Sequence, residues 1–338
     1  MKYNLLGNTG LKVSELCLGT MTFGGRGFWT AIGTLPQEQV NKLVKQSIDG
    51  GINFIDTANV YSEGLSEQMT GRAIRDLGLK RDDLVIATKV LGMMGQGPNN
   101  AGLSRKHILQ QADESLSRMQ IDYIDLYQIH GFDPLTPMQE TLEALDNLVK
   151  SGKVRYIGCS NLAAWQIMKA LGISALEHIS KFVSLQAYYT IASRDIEREI
   201  VPMLTDQNMG LMVWSPLAGG LLSGKFSRNT ETKEGRRVNF DFPPVDKEKA
   251  YDIIELMQKI ASDKNATVAQ IAISWLLHQP VVSTVIIGAN KAEQLADNLN
   301  SVEVQLTDSE LEKLDDVSKL APEYPGWMIE RQGENRKE

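Results

Sequence analysis

The chain has 338 residues, 42% hydrophobic and 23% charged, with 28 Gly and 11 Pro, a composition that fits a folded globular protein and excludes a low-complexity or fibrous one. A formal charge of −7 repels polyphosphate backbones, so no nucleic-acid partner is expected. Cys17 and Cys159 stand inside apolar runs without metal-ligand spacing, no signal-peptide core follows Met1, and no apolar stretch reaches the ~18 residues of a membrane span; a cytoplasmic protein with reduced, buried thiols and no membrane partner is expected.

In chain order, Tyr3 to Leu6 and Lys12 to Ser14, joined through Asn8-Thr9-Gly10, read as a β-hairpin. Eight short apolar, β-rich runs follow, at 16–20, 52–56, 84–88, 124–129, 154–158, 182–186, 211–214 and 283–287. Between them apolar residues recur at three- and four-residue spacing, as in Val40, Leu43, Val44 and Ile48, or Leu142, Leu145, Leu148 and Val149. Capping boxes predict helix starts at Thr136 with Gln139 (Pro137 in first position), Thr267 with Gln270, and Thr307 with Glu310; Gly152 predicts a stop.

Strands that alternate with single helices pair in parallel, and eight such units close into a (β/α)8 TIM barrel. A doubly wound sheet is the rival. Its usual G-x-G-x-x-G turn is missing from Gly19 to Gly27, where the first run ends. The expectation is one barrel domain over 1–338, with a core of about 5–320 and a tail at 321–338, the hairpin plugging the N-terminal end. The segment 223–247, with Lys225, Arg228, Lys233, Arg236 and Arg237, lacks a clear period and reads as a long loop after the seventh barrel strand.

Barrel chemistry gathers where strands end. Asp56 ends the second run, with Tyr61 on the loop beyond it; Lys89 ends the third, His130 the fourth, Ser160 and Asn161 the fifth, Gln186 the sixth, and Trp214 and Ser215 the seventh. A tyrosine gives up its proton poorly near neutrality unless a cation stabilises the phenolate, which Lys89 could supply while Asp56 keeps it charged. His130 could then orient a carbonyl oxygen, with Tyr61 as general acid.

The segment Gly51-Ile52-Asn53-Phe54-Ile55-Asp56-Thr57-Ala58, followed by Tyr61, together with Lys89, His130 and Gly158-Cys159-Ser160-Asn161, resembles the aldo-keto reductase superfamily over about Leu5 to Leu320. The resemblance implies a TIM barrel, NADPH-dependent reduction of a small aldehyde or ketone, and a tetrad of Asp56, Tyr61, Lys89 and His130. It also implies that Ser160, Asn161 and Gln186 bind the carboxamide, that Trp214 stacks on the nicotinamide, and that Gly19, Thr20 and Met21 lie along the nucleotide. The stretch Ser215, Pro216, Leu217, Gly219, Leu221, Gly224 and Lys225 resembles the pyrophosphate loop, and Gly288, Ala289, Asn290, Lys291, Gln294, Asp297 and Asn298 resemble the adenosine segment. Lys291 or Asn290 would meet a 2′-phosphate, which favours NADPH over NADH. Phe28 and Trp29 either pack locally or wall the substrate pocket with Tyr61 and His130; Trp327 could cover the same mouth.

Competing readings exist. Gly219 to Lys225 nearly matches a phosphate-binding G-x-x-x-x-G-K loop, but Phe226 stands where Ser or Thr must bind magnesium. Lys89 could form a Schiff base in a barrel lyase, although a paired Asp56 argues for a protonated amine. His107, His130, His178 and His278 show no ligand spacing, so no metal is expected. Trp214-Ser215-Pro216-Leu217, with Gly288-Ala289, resembles the potassium-channel β-subunit branch, which implies a nucleotide-binding regulatory subunit as the alternative function. That branch tends to replace the histidine at 130. A homo-oligomer is left open, and Asp82-Asp83 and the tail 330–338 are assigned no function.

Overall fold

The computed structural model describes residues 1–228 and 236–334. Lys233 and residues 335–338 of the tail lie outside them. Strands β1 (Tyr3–Leu5) and β2 (Lys12–Ser14) form the antiparallel hairpin. Strands β3 (Leu16–Gly19), β4 (Phe54–Asp56), β5 (Val85–Val90), β6 (Ile124–Ile129), β7 (Val154–Ser160), β8 (Phe182–Tyr188), β9 (Gly210–Trp214) and β10 (Val282–Ile287) pair in parallel and close on themselves, β10 beside β3. The crossovers carry α1 (Gln37–Asp49), α2 (Leu65–Asp76), α3 (Arg105–Met119), α4 (Met138–Lys150), α5 (Ala164–Glu177) and α6 (Ile200–Gln207). The last crossover holds α7 (Arg236–Asn239), α8 (Lys247–Lys264) and α9 (Val268–Leu277), and α10 (Ala292–Leu299), α11 (Asp308–Ser318) and α12 (Gly326–Glu334) follow β10. The structure is the expected (β/α)8 barrel.

Strand periodicity of two divides the core. Ile55, Ile86, Tyr127, Val213 and Val285 face outward and pack under the helices in one large cluster. Their alternating neighbours Cys17, Phe54, Val85, Ala87, Leu126, Met212 and Ile286 fill the barrel, joined by Leu6 and Val13 from the hairpin. The hairpin closes the N-terminal end. Gly7 adopts φ +57, and a Cβ there would stand 2.5 Å from the Val183 carbonyl oxygen, so only glycine lets the chain lie against the starts of β8 and β9. Asn4 Nδ2 also donates to the Ser283 carbonyl at 3.0 Å.

Two of the three capping boxes form: Thr267 with Gln270 opens α9, and Thr307 with Glu310 opens α11. The third does not. Thr136 donates its hydroxyl to Asp133 Oδ2 at 2.7 Å, and Pro137 is the cap residue of α4 rather than its first helical residue. The Asp133 carboxylate also takes the Leu103 and Leu135 N–H groups and so ties two loop segments together, and because α4 starts at Met138 the Thr136 oxygen stands one residue before the cap position. Gly152, at φ +77, follows the end of α4 as the sequence predicts. Within the tail, α12 continues to Glu334.

Candidate active site

Inside the barrel, one step along the same face beyond Phe54, Ala87 and Leu126, stand Asp56, Lys89 and Gln128. The apolar layer therefore gives way to a polar one at the C-terminal strand ends. Lys89 is fully buried, and its ammonium directs hydrogen bonds to Asp56 Oδ2 at 2.6 Å, the Thr57 carbonyl at 2.7 Å and the Tyr61 hydroxyl at 3.4 Å. All three donors of the ammonium are thereby used. Burial by itself would lower this amine, but the charge of Asp56, helped by Tyr61 and by their hydrogen bonds, raises it above its ordinary value. A protonated lysine cannot attack a carbonyl, so the Schiff-base reading loses its nucleophile.

Tyr61 is set by a tight turn. Ser62 (φ 50), Glu63 (φ 56) and Gly64 (φ 86) are successively left-handed, and the buried Ser62 hydroxyl donates to the Phe23 carbonyl at 3.0 Å. Left-handed non-glycine residues cost about 1–3 kcal/mol each and persist where the surroundings over-determine them. The turn points the phenol into the barrel mouth, edge-on to Trp29 (5.1 Å between ring centroids) and to His130 (5.7 Å). Burial first, and the Lys89 charge second, push the His130 imidazole down to about 3. It is neutral around pH 7, a hydrogen-bond partner and not an acid.

Above this floor lies a cavity of about 730 Å³. Tyr61, His130, Asp56 and Trp29 line its deep end, as do Ser160, Asn161, Gln186 and Trp214. Gly19, Thr20 and Met21 line one wall, Ser215, Pro216, Leu217, Gly219 and Lys225 another, and Gly288, Ala289, Asn290, Gln294, Asp297 and Asn298 its far end. The volume suits an extended small-molecule ligand. The donor set suits a nicotinamide nucleotide: Ser160 Oγ is buried and, among the described residues, makes no hydrogen bond, and a Cβ on Gly220 would meet nothing within 4 Å. Asp297, at the far end, accepts from Thr267 Oγ1 and Gln270 Nε2.

Several expected contacts differ. Lys89 lies beneath Tyr61 and off the cavity surface. Leu221 is buried with the hydrophobic core, and Gly224 turns toward Val268, so in the pyrophosphate segment neither faces the cavity. Lys291 occupies the cap position of α10 and is exposed, away from the lining where Asn290 stands. Phe28, 61% exposed, packs edge-on against Trp29 and Phe240 and does not line this cavity. Trp327 packs on Tyr324 and does not cover the mouth. The amides are also partly committed: Asn161 donates to the His130 carbonyl and accepts from Trp214 Nε1, each at 3.0 Å, and Gln186 Nε2 donates to Asp56 Oδ1 at 3.0 Å.

Two residues that the sequence did not single out matter here. Phe242 lines the cavity with its ring near-parallel to Trp214, at 6.1 Å and 13°. Its segment folds back because Gly219 (φ +66) leaves room for the Phe242 carbonyl, 2.2 Å from where a Cβ would stand, and because buried Arg237 donates to the carbonyls of Ala218 and Pro243. No local signal marks Phe242. Gln128 is the other, and it had one: an amide two residues before His130, on the same strand face, within an apolar run.

Among the described residues no cluster of His, Cys, Asp or Glu could hold a metal, and no helix is long and apolar enough to cross a membrane. A model of the aldo/keto reductase family matches residues 15–319. The chain is 36% identical to an uncharacterized oxidoreductase of Bacillus subtilis, covering 94% of this chain and 96% of that one. It is 35% identical to a protein of Arabidopsis thaliana named "Probable voltage-gated potassium channel subunit beta" (96% and 99% covered), and 34% identical to the versiconal hemiacetal acetate reductase of Aspergillus parasiticus (96% and 99% covered). The match over nearly the whole barrel, on a site of this geometry, means that the chain belongs to the aldo/keto reductase family.

Proposed function

We propose that this protein reduces a small aldehyde or ketone with NADPH, reversibly, and that Tyr61 is the general acid. The observation that carries the reading is the Lys89 ammonium, held between Asp56 Oδ2 and the Tyr61 hydroxyl at the floor of the cavity. The bound nucleotide would supply the hydride. As charge grows on the substrate oxygen, Tyr61 gives up its proton and Lys89 stabilises the phenolate left behind. Neutral His130 donates a hydrogen bond to the same oxygen and fixes its direction. Trp29, with Tyr61 and His130, forms an aromatic wall and excludes water from the reacting atoms.

For the nucleotide, Ser160, Asn161 and Gln186 would hold the carboxamide, Trp214 the nicotinamide ring, Ser215 to Lys225 the pyrophosphate, and Asn290, Gln294, Asp297 and Asn298 the adenosine end. Gln186 can offer its Oε1 there, its Nε2 being engaged with Asp56. Lys291, exposed at the head of α10, is close in sequence to Asn290 and would reach a 2′-phosphate, which supports NADPH over NADH. The whole chain would act as one domain in the cytoplasm.

The similarity to a named channel β subunit keeps a second reading in view, a nucleotide-binding regulatory subunit with little turnover. His130 beside Tyr61 in the cavity lining favours the enzyme. A panel of aliphatic and aromatic aldehydes and ketones, assayed by NADPH consumption with NADH in parallel, separates the two. Turnover that collapses in Tyr61→Phe supports the reductase; tight nucleotide binding with no turnover on any carbonyl supports the subunit.

A further inference from the structure

Asp56 has two oxygens, and the structure divides them. Oδ2 takes the Lys89 ammonium, while Oδ1 takes two amide donors from across the barrel, Gln128 Nε2 at 3.1 Å and Gln186 Nε2 at 3.0 Å. The two glutamines come from β6 and β8 and are both buried. Room for Gln128 is built into the neighbouring strand: Gly158 stands opposite it in register, and a Cβ there would lie 3.3 Å from Gln128 Cγ and 2.8 Å from Ser184 Oγ. Lys89 is the register partner of Gln128 on its other side. The amide therefore sits between the lysine strand and a strand thinned to accept it. A buried glutamine needs a reason to be there, since Leu or Met would fill the position without polar atoms to satisfy.

We infer that Gln128 is a positioning residue for the proton donor, acting through Asp56 and Lys89: by donating to Oδ1 it fixes the carboxylate plane and partly neutralises it, so that Lys89 is aimed at, and its charge felt by, the Tyr61 oxygen. Gln186 shares this duty and, by the proposed function, also faces the carboxamide. Gln128, which does not line the cavity, is the donor left for Asp56 alone. Without it the carboxylate keeps more of its negative charge and its freedom to rotate, and the net field at Tyr61 becomes more negative.

Other titratable groups around Tyr61 do not duplicate the effect. His130, just past the end of β6, is neutral, held down to about 3. Cys17 on β3 stays a thiol, because burial first and the Asp56 charge second push it well above its ordinary value. Glu63 lies on the exposed side of the Tyr61 turn, and buried Glu67 on α2 is paired with Arg118 and hydrogen-bonded by Thr88. Lys89 and Asp56 are the two charges that remain to be balanced.

The inference rests on Tyr61 as the proton donor, but its first test needs no nucleotide. Ionisation of Tyr61 in the cofactor-free protein is followed by the near-ultraviolet tyrosinate band, with the corresponding Tyr61→Phe protein subtracted from each sample. In Gln128→Met, which keeps the length and loses the donor, the Tyr61 midpoint should rise by about half a pH unit or more. Gln128→Asn, whose amide falls short of Asp56, should move it the same way, and serves if the Met protein does not fold by circular dichroism. With NADPH and an accepted carbonyl substrate, kcat should fall about tenfold and the alkaline limb of its pH profile should move up, while the nucleotide dissociation constant stays within about threefold. An unchanged midpoint in the folded variants overturns the inference, whatever the turnover. A wild-type protein without carbonyl reduction overturns the proposed function instead, and the tyrosinate titration still decides the role of Gln128.

Discussion

At the scale of single residues, the reading turns on whether Tyr61 moves a proton. Removing its hydroxyl in Tyr61→Phe should lower kcat by about 10²–10⁴-fold with nucleotide binding retained, measured by steady-state assay and by titration of protein fluorescence. Lys89→Met should reduce activity similarly and also cost about 3 kcal/mol of stability in urea unfolding, because it leaves Asp56 charged in the barrel without its ammonium partner. The folded Lys89 titrates above the unfolded value of 10.5, so its contribution is complete below that pH and disappears as pH rises through the folded value; Lys89→Met should show less loss at the alkaline end than wild type.

His130 runs the other way. Its imidazole takes up a proton below about 6.5 in the unfolded chain and only near 3 in the fold, so it removes stability as pH falls through that window. His130→Gln should flatten the decline between those limits, seen as a smaller drop in urea midpoint. These four residues were legible in the sequence because each stands where an apolar run ends or on the loop just beyond. The bond from Gln128 to Asp56 was not, because it crosses from β6 to β4 and no spacing along the chain encodes it.

At the scale of elements, local rules succeeded where nothing stronger competed. The Thr267 box closes as read, and Thr267→Ala should cost about 1 kcal/mol of stability, checked by thermal melting. At Thr136 the pattern was equally good, yet the loop's tertiary path puts Pro137 at the cap and turns the Thr136 hydroxyl to Asp133. The segment after β9 shows the limit most clearly. Its run of cations announced a loop, but the return of Phe242 to Trp214 depends on the backbone of Gly219 and on Arg237 finding two carbonyls. Gly219→Val should dislodge that return, since a side chain there strikes the Phe242 carbonyl, and should weaken NADPH binding by tenfold or more in fluorescence titration while the barrel stays folded.

At the scale of the whole molecule, strand order and closure followed from alternation alone: eight runs separated by helices have few ways to bury both faces of a parallel sheet. What alternation left undetermined was the far end of the cavity, where Asn290 and Asp297 line the wall and Lys291 does not. A ligand that binds only the folded barrel must stabilise it, by about 2.7 kcal/mol at a hundredfold excess over its dissociation constant. NADPH should therefore raise the melting temperature more than NADH at equal concentration, and Lys291→Ala should narrow that gap.

The barrel's seam has a consequence for biosynthesis. β3 pairs with β10, and Asn4 bonds to Ser283, partners 279 positions apart. A ribosome must release almost the entire polypeptide before that seam can zip, and until then the nascent chain carries two open sheet edges, one on β3 and one on the latest strand made. Such an intermediate invites sticking to its neighbours until the last strand closes the cylinder.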